Sequence, residues 1–263
     1  SFIEEMIEPL GLSDVGTNDN SKQSFLDIGC GTGCASIYLA EAGYAVTAID
    51  NSPAMIGRLL ERCEVLGDLG ISCQVADGQS LSSEFSNAFD YAMSAFSIIF
   101  FPDPLAGIKE MHRCLRPGGE AVVSGWGDRG DSPAFRIVPE AVRSVAPELV
   151  ALSSKDKPFI RSAEEVANLM SKAGFFDVEI KEGIKRTLTI ASPEEYYERF
   201  ALSSPPTRNM MEWMEENMGE AVVSRFKDAV MRLAVERGGG RTDGPVEIIS
   251  PAYFVYGVKP MKV

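Results

Sequence analysis

Short apolar runs alternate with helical periodicity over the first half of the chain. Residues 25–28 form an apolar run that Gly29 ends, and apolar positions at helical spacing follow over 34–42. The same alternation continues downstream. It predicts further strands at 45–49, 71–76, 89–95 and 121–124. Mostly apolar strands separated by helices are typical of a parallel sheet that is covered on both faces.

The second half keeps helical and strand patterns but spaces them less regularly. Residues 162–173 predict a helix with Ser162 at its N-cap, Glu165 three positions later, and Gly174 at its end. Residues 175–184 and 246–258 predict two more strands, and most of the segment between them has helical spacing. The pattern therefore predicts an α/β fold with seven strands and a long helical insertion before the last one.

Composition and charge narrow the classes of partner. The chain has 263 residues, 45% of them apolar, and a net charge of −13. A nucleic-acid-binding protein usually presents a basic face to phosphates, so we expect no nucleic acid partner. The longest apolar run, 96–101, is far shorter than the roughly 20 residues that cross a bilayer. The acidic start has no basic leading segment, so we expect an intracellular, cytoplasmic protein without membrane insertion.

The cysteine and histidine content argues against disulfides and metal. The five cysteines are odd in number and include no CxxC pair, so we expect reduced thiols. His112 is the only histidine, and neither a second cysteine cluster nor a histidine pair is present to complete a zinc site. The sequence therefore predicts no metal site.

A glycine-rich segment carries the chemistry. Residues 26–33 (LDIGCGTG) lie between the first strand and the first helix after it. Glycines at such a position let the backbone turn tightly and approach a ligand, although a tight turn alone would also need them. Asp50 and Asp77 end the next two strands, where carboxylates could accept hydrogen bonds from ribose hydroxyls and an adenine amino group. Helix caps or solvated turns are the plainer interpretation of each aspartate taken singly.

Two nucleotide cofactors compete for this segment. A dinucleotide site favours G-x-G-x-x-G, but Cys34 occupies the position of the third glycine. Asp27 beside the loop suits a cationic ligand with an amino group and a sulfonium, and it suits a pyrophosphate poorly. A NAD(P)-dependent oxidoreductase remains the alternative at this point.

The motifs together resemble those of class I S-adenosylmethionine-dependent methyltransferases of the small-molecule type. The matching segments are 26–33, 50–55, 76–78, 89–90, 101–104 and 115–119. The resemblance implies a Rossmann-like seven-stranded sheet, mostly parallel with a C-terminal antiparallel hairpin, and a helical cap insertion. It further implies one methyltransferase domain over 1–263, with a cofactor-binding core at 22–126 and the cap at 191–245.

The resemblance also implies the cofactor and its contacts. S-adenosyl-L-methionine would bind and leave as S-adenosyl-L-homocysteine. The implied cofactor-binding residues are Asp27, Gly29, Cys30, Gly31, Gly33, Asp50, Asn51, Met55, Asp77, Gly78, Ser94, Ala95 and Phe96.

The acceptor is expected to be a small molecule, apolar or aromatic. Candidate contacts are Phe101, Trp126, Tyr197 and Met211. Met210, Met214 and Met218 share one helix face, which predicts either an adaptable wall for the acceptor or packing onto the core.

Transfer from a sulfonium needs alignment more than it needs a base, because the leaving group is already activated. His112 lies on the helix before Pro117, on a face away from the strand ends, so we expect it to be structural. No residue is assigned as a catalytic base. A protein that binds S-adenosylmethionine without catalysis is therefore a second alternative.

Overall fold

The computed structural model describes residues 2–10, 23–127, 133–152, 162–203, 205–238 and 245–261. Residue 22, where the predicted core begins, and residues 239–244 of the predicted cap lie outside them.

A mostly parallel seven-stranded sheet organises these residues, as the sequence predicts, and the antiparallel strands are C-terminal. The strands are β1 (Ser24–Ile28), β2 (Ala45–Asp50), β3 (Ser72–Val75), β4 (Phe89–Ala95), β5 (Leu115–Trp126), β6 (Phe176–Ile190) and β7 (Val246–Val258). Their order across the sheet is β3-β2-β1-β4-β5-β7-β6.

Helices connect the strands. They are α1 (Phe2–Ile7), α2 (Cys34–Glu41), α3 (Pro53–Leu66), α4 (Pro104–Cys114), α5 (Pro133–Val145), α6 (Pro147–Leu152), α7 (Ala163–Ala173), α8 (Pro193–Glu195), α9 (Pro205–Met218) and α10 (Glu220–Arg237). A π-helical turn and a 3₁₀ turn follow α8, at Tyr196–Phe200 and Ala201–Ser203. Shorter 3₁₀ turns lie at Ser83–Phe85 and Ile98–Phe100.

Strand β1 is the centre of the parallel part. It pairs with β2 on one side and β4 on the other, with Ile28 opposite Ile49 and Asp27 opposite Met93. Residues 25–28 are all buried, which is why all of them except Asp27 are apolar. Because parallel strands end at the same edge of a sheet, this register places the ends of β1, β2 and β4 side by side.

Strand β5 is longer than the sequence predicts. The predicted strand covers 121–124, but β5 begins at Leu115 and runs through Pro117, Gly118 and Gly119. Gly118 takes the left-handed conformation (φ 80°), and its N–H donates to the Lys259 carbonyl oxygen at 2.9 Å. Lys259 N–H donates to the Gly119 carbonyl oxygen at 2.8 Å. The chain beyond β7 therefore extends β5 by an antiparallel pairing that local sequence cannot show.

Polar side chains cap the starts of α4 and α7, and the cap at Ser162 is the one that the sequence predicts. Asp103 accepts a hydrogen bond from Ala106 N–H at 3.1 Å, and Ser162 accepts one from Glu165 N–H at 3.3 Å. Ser52 precedes α3 in an extended conformation, but its side chain makes no capping hydrogen bond. Its backbone N–H instead donates to the Asp50 carboxylate at 2.8 Å.

The chain forms two compact units. The first comprises residues 1–125, 158–182 and 253–263, and the second comprises 126–157 and 183–252. The predicted cap at 191–245 falls inside the second unit, whereas the single-domain assignment stays a prediction. In the second unit, α5 and α10 pack together, and Glu140 accepts from Arg237 at 2.6 Å and from Arg136 at 2.9 Å.

In the part of the chain that the structure describes, the longest helices are too polar or too short to cross a bilayer. The same residues contain no group of three histidine, cysteine or carboxylate side chains that could hold a metal ion.

We expect Gly33→Ala to destabilise the protein more than Gly31→Ala. Both glycines have positive φ, but a Cβ on Gly33 would overlap the fully buried Leu59 side chain, whereas nothing lies within 4 Å of a Cβ on Gly31. The left-handed penalty is common to both variants at about 1–2 kcal/mol, and overpacking adds about 1–3 kcal/mol for Gly33→Ala. Urea denaturation followed by circular dichroism measures the two free energies of unfolding. Equal losses would show that Leu59 does not restrict this position.

Candidate functional site

The glycine loop is held by the end of β2. The N–H groups of Gly29 and Cys30 both donate to the Ile49 carbonyl oxygen, at 2.7 and 2.9 Å. Gly31 N–H donates to the Asp50 carboxylate at 2.9 Å. Gly29 has φ 73°, and a Cβ there would overlap the Ser97 side chain. Only glycine therefore fits the position where the loop passes the turn after β4.

A cavity of about 130 Å³ lies beside the ends of β2 and β3. Its walls include Gly29, Asp50, Asn51, Asp77, Gly78 and Phe101. The exposed Asp77 carboxylate accepts from the backbone N–H of Gln79 at 2.9 Å and from its side-chain amide at 3.0 Å, and these hydrogen bonds lower the pKa of Asp77. Predicted ribose and adenine contacts thus meet in one cavity.

Phe101 lines this cavity, which is the smaller of two, next to Gly78. A Cβ on Gly78 would come within 2.8 Å of the Phe101 ring, and one on Gly107 within 2.6 Å. The two glycines therefore leave the space that the ring fills. The sequence assigns Phe101 to the acceptor, but here it stands with Asp50 and Asp77.

A second, larger cavity of about 370 Å³ shares Gly29 with the first as a wall residue. Its walls are Phe2, Ile3, Asp27, Gly29, Cys30, Cys34, Ala35, Tyr38, Ala95 and Phe96. Five of these were predicted as cofactor contacts. The sequence missed Phe2 and Ile3, because they lie on α1, far along the chain from the glycine loop.

Asp27 is the one charged residue among the described walls of the larger cavity, and it is 1% exposed. Its Oδ2 accepts from the Ser36 hydroxyl at 2.6 Å, but its buried Oδ1 has no hydrogen-bond partner. Burial raises the pKa of Asp27 to about 6, with a further rise from the nearby Asp50 charge and a partial offset from the Ser36 hydrogen bond. Such a carboxylate is suited to a cationic group.

Aromatic rings form another wall of the larger cavity. Phe96 takes a left-handed conformation (φ 55°), and its N–H donates to the carbonyl and hydroxyl oxygens of Ser124, at 3.2 and 3.1 Å. A conformation of this kind costs a non-glycine residue about 1–3 kcal/mol, so the surrounding structure must impose it. The Phe2 ring stacks on Phe96 at 4.8 Å and meets Phe254 edge-on at 5.0 Å.

Four predicted cofactor contacts, all in the described residues, line neither cavity. They are Gly31, Gly33, Met55 and Ser94. Gly31 still acts on the site through Asp50, and the fully buried Ser94 hydroxyl accepts from Ile98 N–H at 3.2 Å, behind the end of β4.

Three predicted acceptor contacts belong to the second unit. They are Trp126, Tyr197 and Met211. Tyr197 is buried in the hydrophobic core of that unit, and its hydroxyl lies 3.4 Å from the Met211 sulfur. Met214 is fully buried there, and Met210 and Met218 pack against the same core, so the methionine stripe packs onto a core. Roles for Trp126, Tyr197 and Met211 in acceptor binding stay predictions.

His112 lies near the end of α4 and lines neither cavity. Its ring meets Phe175 edge-on at 4.9 Å, beside Gly174. Burial lowers the pKa of His112, with a smaller contribution from the positive charge of Lys259. The structural role that the sequence predicts for His112 stays a prediction.

Part of the chain is similar to known methyltransferases. Residues 26–123 match the family model of a methyltransferase domain. The chain is 27% identical over 162 residues to phosphoethanolamine N-methyltransferase 2 of Caenorhabditis elegans, covering 60% of this chain and 33% of that protein. It is 28% identical over 185 residues to a demethylmenaquinone methyltransferase of Staphylococcus aureus, covering 65% of this chain and 74% of that protein.

A solved structure shares the fold. Haemonchus contortus phosphoethanolamine N-methyltransferase 2, in complex with phosphomonomethylethanolamine and S-adenosylhomocysteine, aligns with a TM-score of 0.58 at 22% identity. The alignment covers 99% of this chain and 52% of that chain, so this chain spans about half of that protein. It spans about a third of the Caenorhabditis elegans relative. The domain match over 26–123, the methyltransferase relatives and the shared fold together support a class I S-adenosylmethionine-dependent methyltransferase.

Proposed function

We propose that this protein binds S-adenosylmethionine across the two cavities and transfers its methyl group to a small, neutral, apolar or aromatic acceptor. The observation that carries the proposal is the Asp27 carboxylate, which is buried in the larger cavity with one oxygen unpartnered. A buried acceptor atom without a partner is costly unless a ligand supplies the missing donor. The methionine ammonium of the cofactor is such a donor, and it also carries the opposite charge.

The smaller cavity suits the nucleoside half of the same molecule. Asp50 is already fixed by the N–H groups of Gly31 and Ser52, one on each carboxylate oxygen. A carboxylate has about four lone-pair sites, so it can accept ribose hydroxyls in addition. Asp77 stands at the end of β3 with Phe101 and Gly78, where a flat base would meet a carboxylate, a ring and a backbone that has no side chain to obstruct it.

Catalysis would rest on alignment. When bound, the cofactor supplies a methyl group on a positively charged sulfur, which is already an activated leaving group. The glycine loop, held by Ile49 and Asp50, would fix the approach of the cofactor, and the stacked rings of Phe96 and Phe2 would pack against it in the larger cavity. Alignment can supply up to about 7–11 kcal/mol of the barrier. No histidine or lysine is among the described residues that line either cavity, so those residues offer no such base.

The two alternatives have less support. A dinucleotide would bring a pyrophosphate to the glycine loop, where Asp27 would face it with a buried negative charge and Cys34 replaces the third glycine. A binding protein without transferase activity would use the same cavities. Turnover of labelled cofactor distinguishes it from the enzyme.

We expect Asp50→Asn to weaken binding of S-adenosylhomocysteine by about 10- to 100-fold, the effect of losing a charged hydrogen-bond acceptor. Isothermal titration measures the dissociation constant. Asp228→Asn is the matched control, because it removes the same charge from a residue that is exposed on α10. Equal affinities of the two variants would remove Asp50 from the ribose site, and a wild-type protein that does not bind would refute the proposal.

Asp27 links stability to pH in the protein without ligand. Its pKa is raised by folding from 3.8 to about 6, so the native state holds the proton more tightly than the unfolded chain does. The free energy of unfolding therefore falls as pH rises from about 4 to about 6, and it stays low above that range. The free energy of unfolding lost in this way is on the order of 3 kcal/mol, because the pKa rises from 3.8 to about 6 and a difference of one in pKa corresponds to 1.36 kcal/mol.

We therefore expect Asp27→Asn to be more stable than the wild type at pH 8, by about 1–3 kcal/mol, and to lose the decline between pH 4 and 6. The same variant should bind S-adenosylhomocysteine more weakly at pH 8, because the ammonium loses its counter-charge. Thermal and urea unfolding at several pH values and isothermal titration measure the two effects. Unchanged stability with unchanged binding would contradict both assignments.

The walls of the larger cavity support the proposed acceptor class. Among its described walls the only charge is Asp27, which the cofactor ammonium would neutralise, and three side chains are aromatic: Phe2, Tyr38 and Phe96. No described wall residue there carries a positive charge, so an acceptor phosphate or carboxylate would lose its hydration without a partner. A neutral ring would instead pack on the aromatic side chains.

We expect turnover of labelled S-adenosylmethionine with phenols and quinols to exceed turnover with amines, acids and phosphate esters. Phe2→Ala should raise the KM of the best acceptor several-fold and leave the affinity for S-adenosylhomocysteine within about threefold, because the ring adds aromatic packing of roughly 0.5–1.5 kcal/mol. Phe176→Ala, which removes an exposed ring outside both cavities, is the control. A preference for anionic acceptors would overturn the assigned class without affecting cofactor binding.

A further inference from the structure

The five thiols of the chain differ sharply in accessibility. Cys34 is exposed, Cys73 is partly buried, and Cys30, Cys63 and Cys114 are buried. Burial raises the pKa of the four less accessible thiols, that of Cys114 to about 11. Since the thiolate is the reactive form, these four are poor nucleophiles at neutral pH. Cys34 is therefore the thiol that a reagent from solution meets first.

Cys34 also lies inside the cofactor-binding region. It is the first residue of α2, directly after Gly33, and it lines the larger cavity. Arg62 Nη1 donates to the Cys34 sulfur at 3.7 Å and to the Thr32 carbonyl oxygen at 2.6 Å. The guanidinium thereby ties the sulfur to the glycine loop. A group attached to this sulfur would occupy space in the cavity.

A second, independent feature of the same cavity points to the chemistry of such a group. Asp27 is 1% exposed, lines the cavity, and has a buried oxygen without a partner. A molecule that carries both a sulfur and an ammonium could react at Cys34 and place its positive charge toward Asp27. The pairing of a thiol and an orphaned carboxylate in one cavity suits small aminothiols in their disulfide form.

We propose that Cys34 is a modification site at which a small disulfide bearing an ammonium group forms a mixed disulfide inside the larger cavity. The Cys34 thiolate attacks one sulfur of the small disulfide, and the new S–S bond forms as the original one breaks. The departing half leaves as a thiolate and takes up the proton that Cys34 lost. Cys34 is oxidised and the departing half is reduced, so no further oxidant is needed.

Modification would block the cofactor, and this consequence rests on the function proposed above. The attached aminothiol would hold its ammonium near Asp27, where the cofactor places its own ammonium. Both molecules cannot occupy that space. Reduction of the mixed disulfide by an added thiol would restore the cavity.

The test uses two disulfides of nearly equal size, cystamine with its ammonium groups and the neutral bis(2-hydroxyethyl) disulfide. Intact mass spectrometry measures the rate of single adduct formation on the folded protein. We expect cystamine to react roughly fivefold faster, as one partly screened charge pair would produce. Asp27→Asn should reduce this ratio toward one, because it removes the charge and keeps the shape.

Variants locate the adduct. Cys34→Ser should form none, whereas Cys73→Ser, which removes the next most accessible thiol, should react as the wild type does. Saturating S-adenosylhomocysteine should slow the wild-type reaction. The cystamine adduct of the wild type should bind S-adenosylhomocysteine more weakly than untreated protein, and dithiothreitol should reverse this loss. Treatment of Cys34→Ser should leave that variant's own affinity unchanged.

Several results would overturn the proposal. These are adduct formation on Cys34→Ser at the wild-type rate, a cystamine preference that persists in Asp27→Asn, and an adduct that binds S-adenosylhomocysteine as untreated protein does. If untreated wild-type protein does not bind S-adenosylhomocysteine, the proposed function fails instead. The two reaction rates and the variants then still decide whether the thiol–carboxylate site exists.

Discussion

The hydrogen bonds between the end of β2 and the glycine loop are the constraint on which the site depends. The Ile49 carbonyl oxygen accepts from two successive loop N–H groups, and the next residue, Asp50, accepts from a third with its side chain. The backbone that passes the cofactor and the carboxylate proposed for its ribose are therefore fixed relative to each other. Gly29 completes the arrangement, because the loop passes Ser97 too closely for any Cβ.

Asp27 lowers the stability of the unliganded protein at the place where the proposed function puts the cofactor ammonium. The side chain points from a central strand into a buried position where one oxygen lacks a partner, and burial raises its pKa to about 6. An asparagine there would relieve the folded protein but would offer a cationic ligand no counter-charge. The free energy lost in the unliganded protein is recovered on binding only by a molecule that brings a positive hydrogen-bond donor. In the proposed function, the carboxylate therefore selects for the charge of its ligand.

The helical insertion behaves differently from the glycine loop. Its methionine stripe could have formed a binding wall or a packed core, since both need apolar residues at the same helical spacing. Met214 is fully buried in the core of the second unit, and Tyr197 and Met211 contact each other there. Periodicity predicts that a face is covered, but it does not specify by what. The acceptor contacts assigned to this segment therefore remain predictions.

The sequence alone determined the elements and the cofactor chemistry, because both rest on local patterns. Apolar runs and glycines mark β1 and its loop, and parallel pairing then brings Asp50 and Asp77 to one edge of the sheet. Tertiary structure alone decided the length of β5, which depends on pairing with a segment about 140 residues away, and the place of Phe101 beside Gly78. It also decided that Phe2 stacks on Phe96 to form a wall of the larger cavity. Contacts between residues so distant along the chain depend on how whole elements pack, and no local pattern encodes that packing.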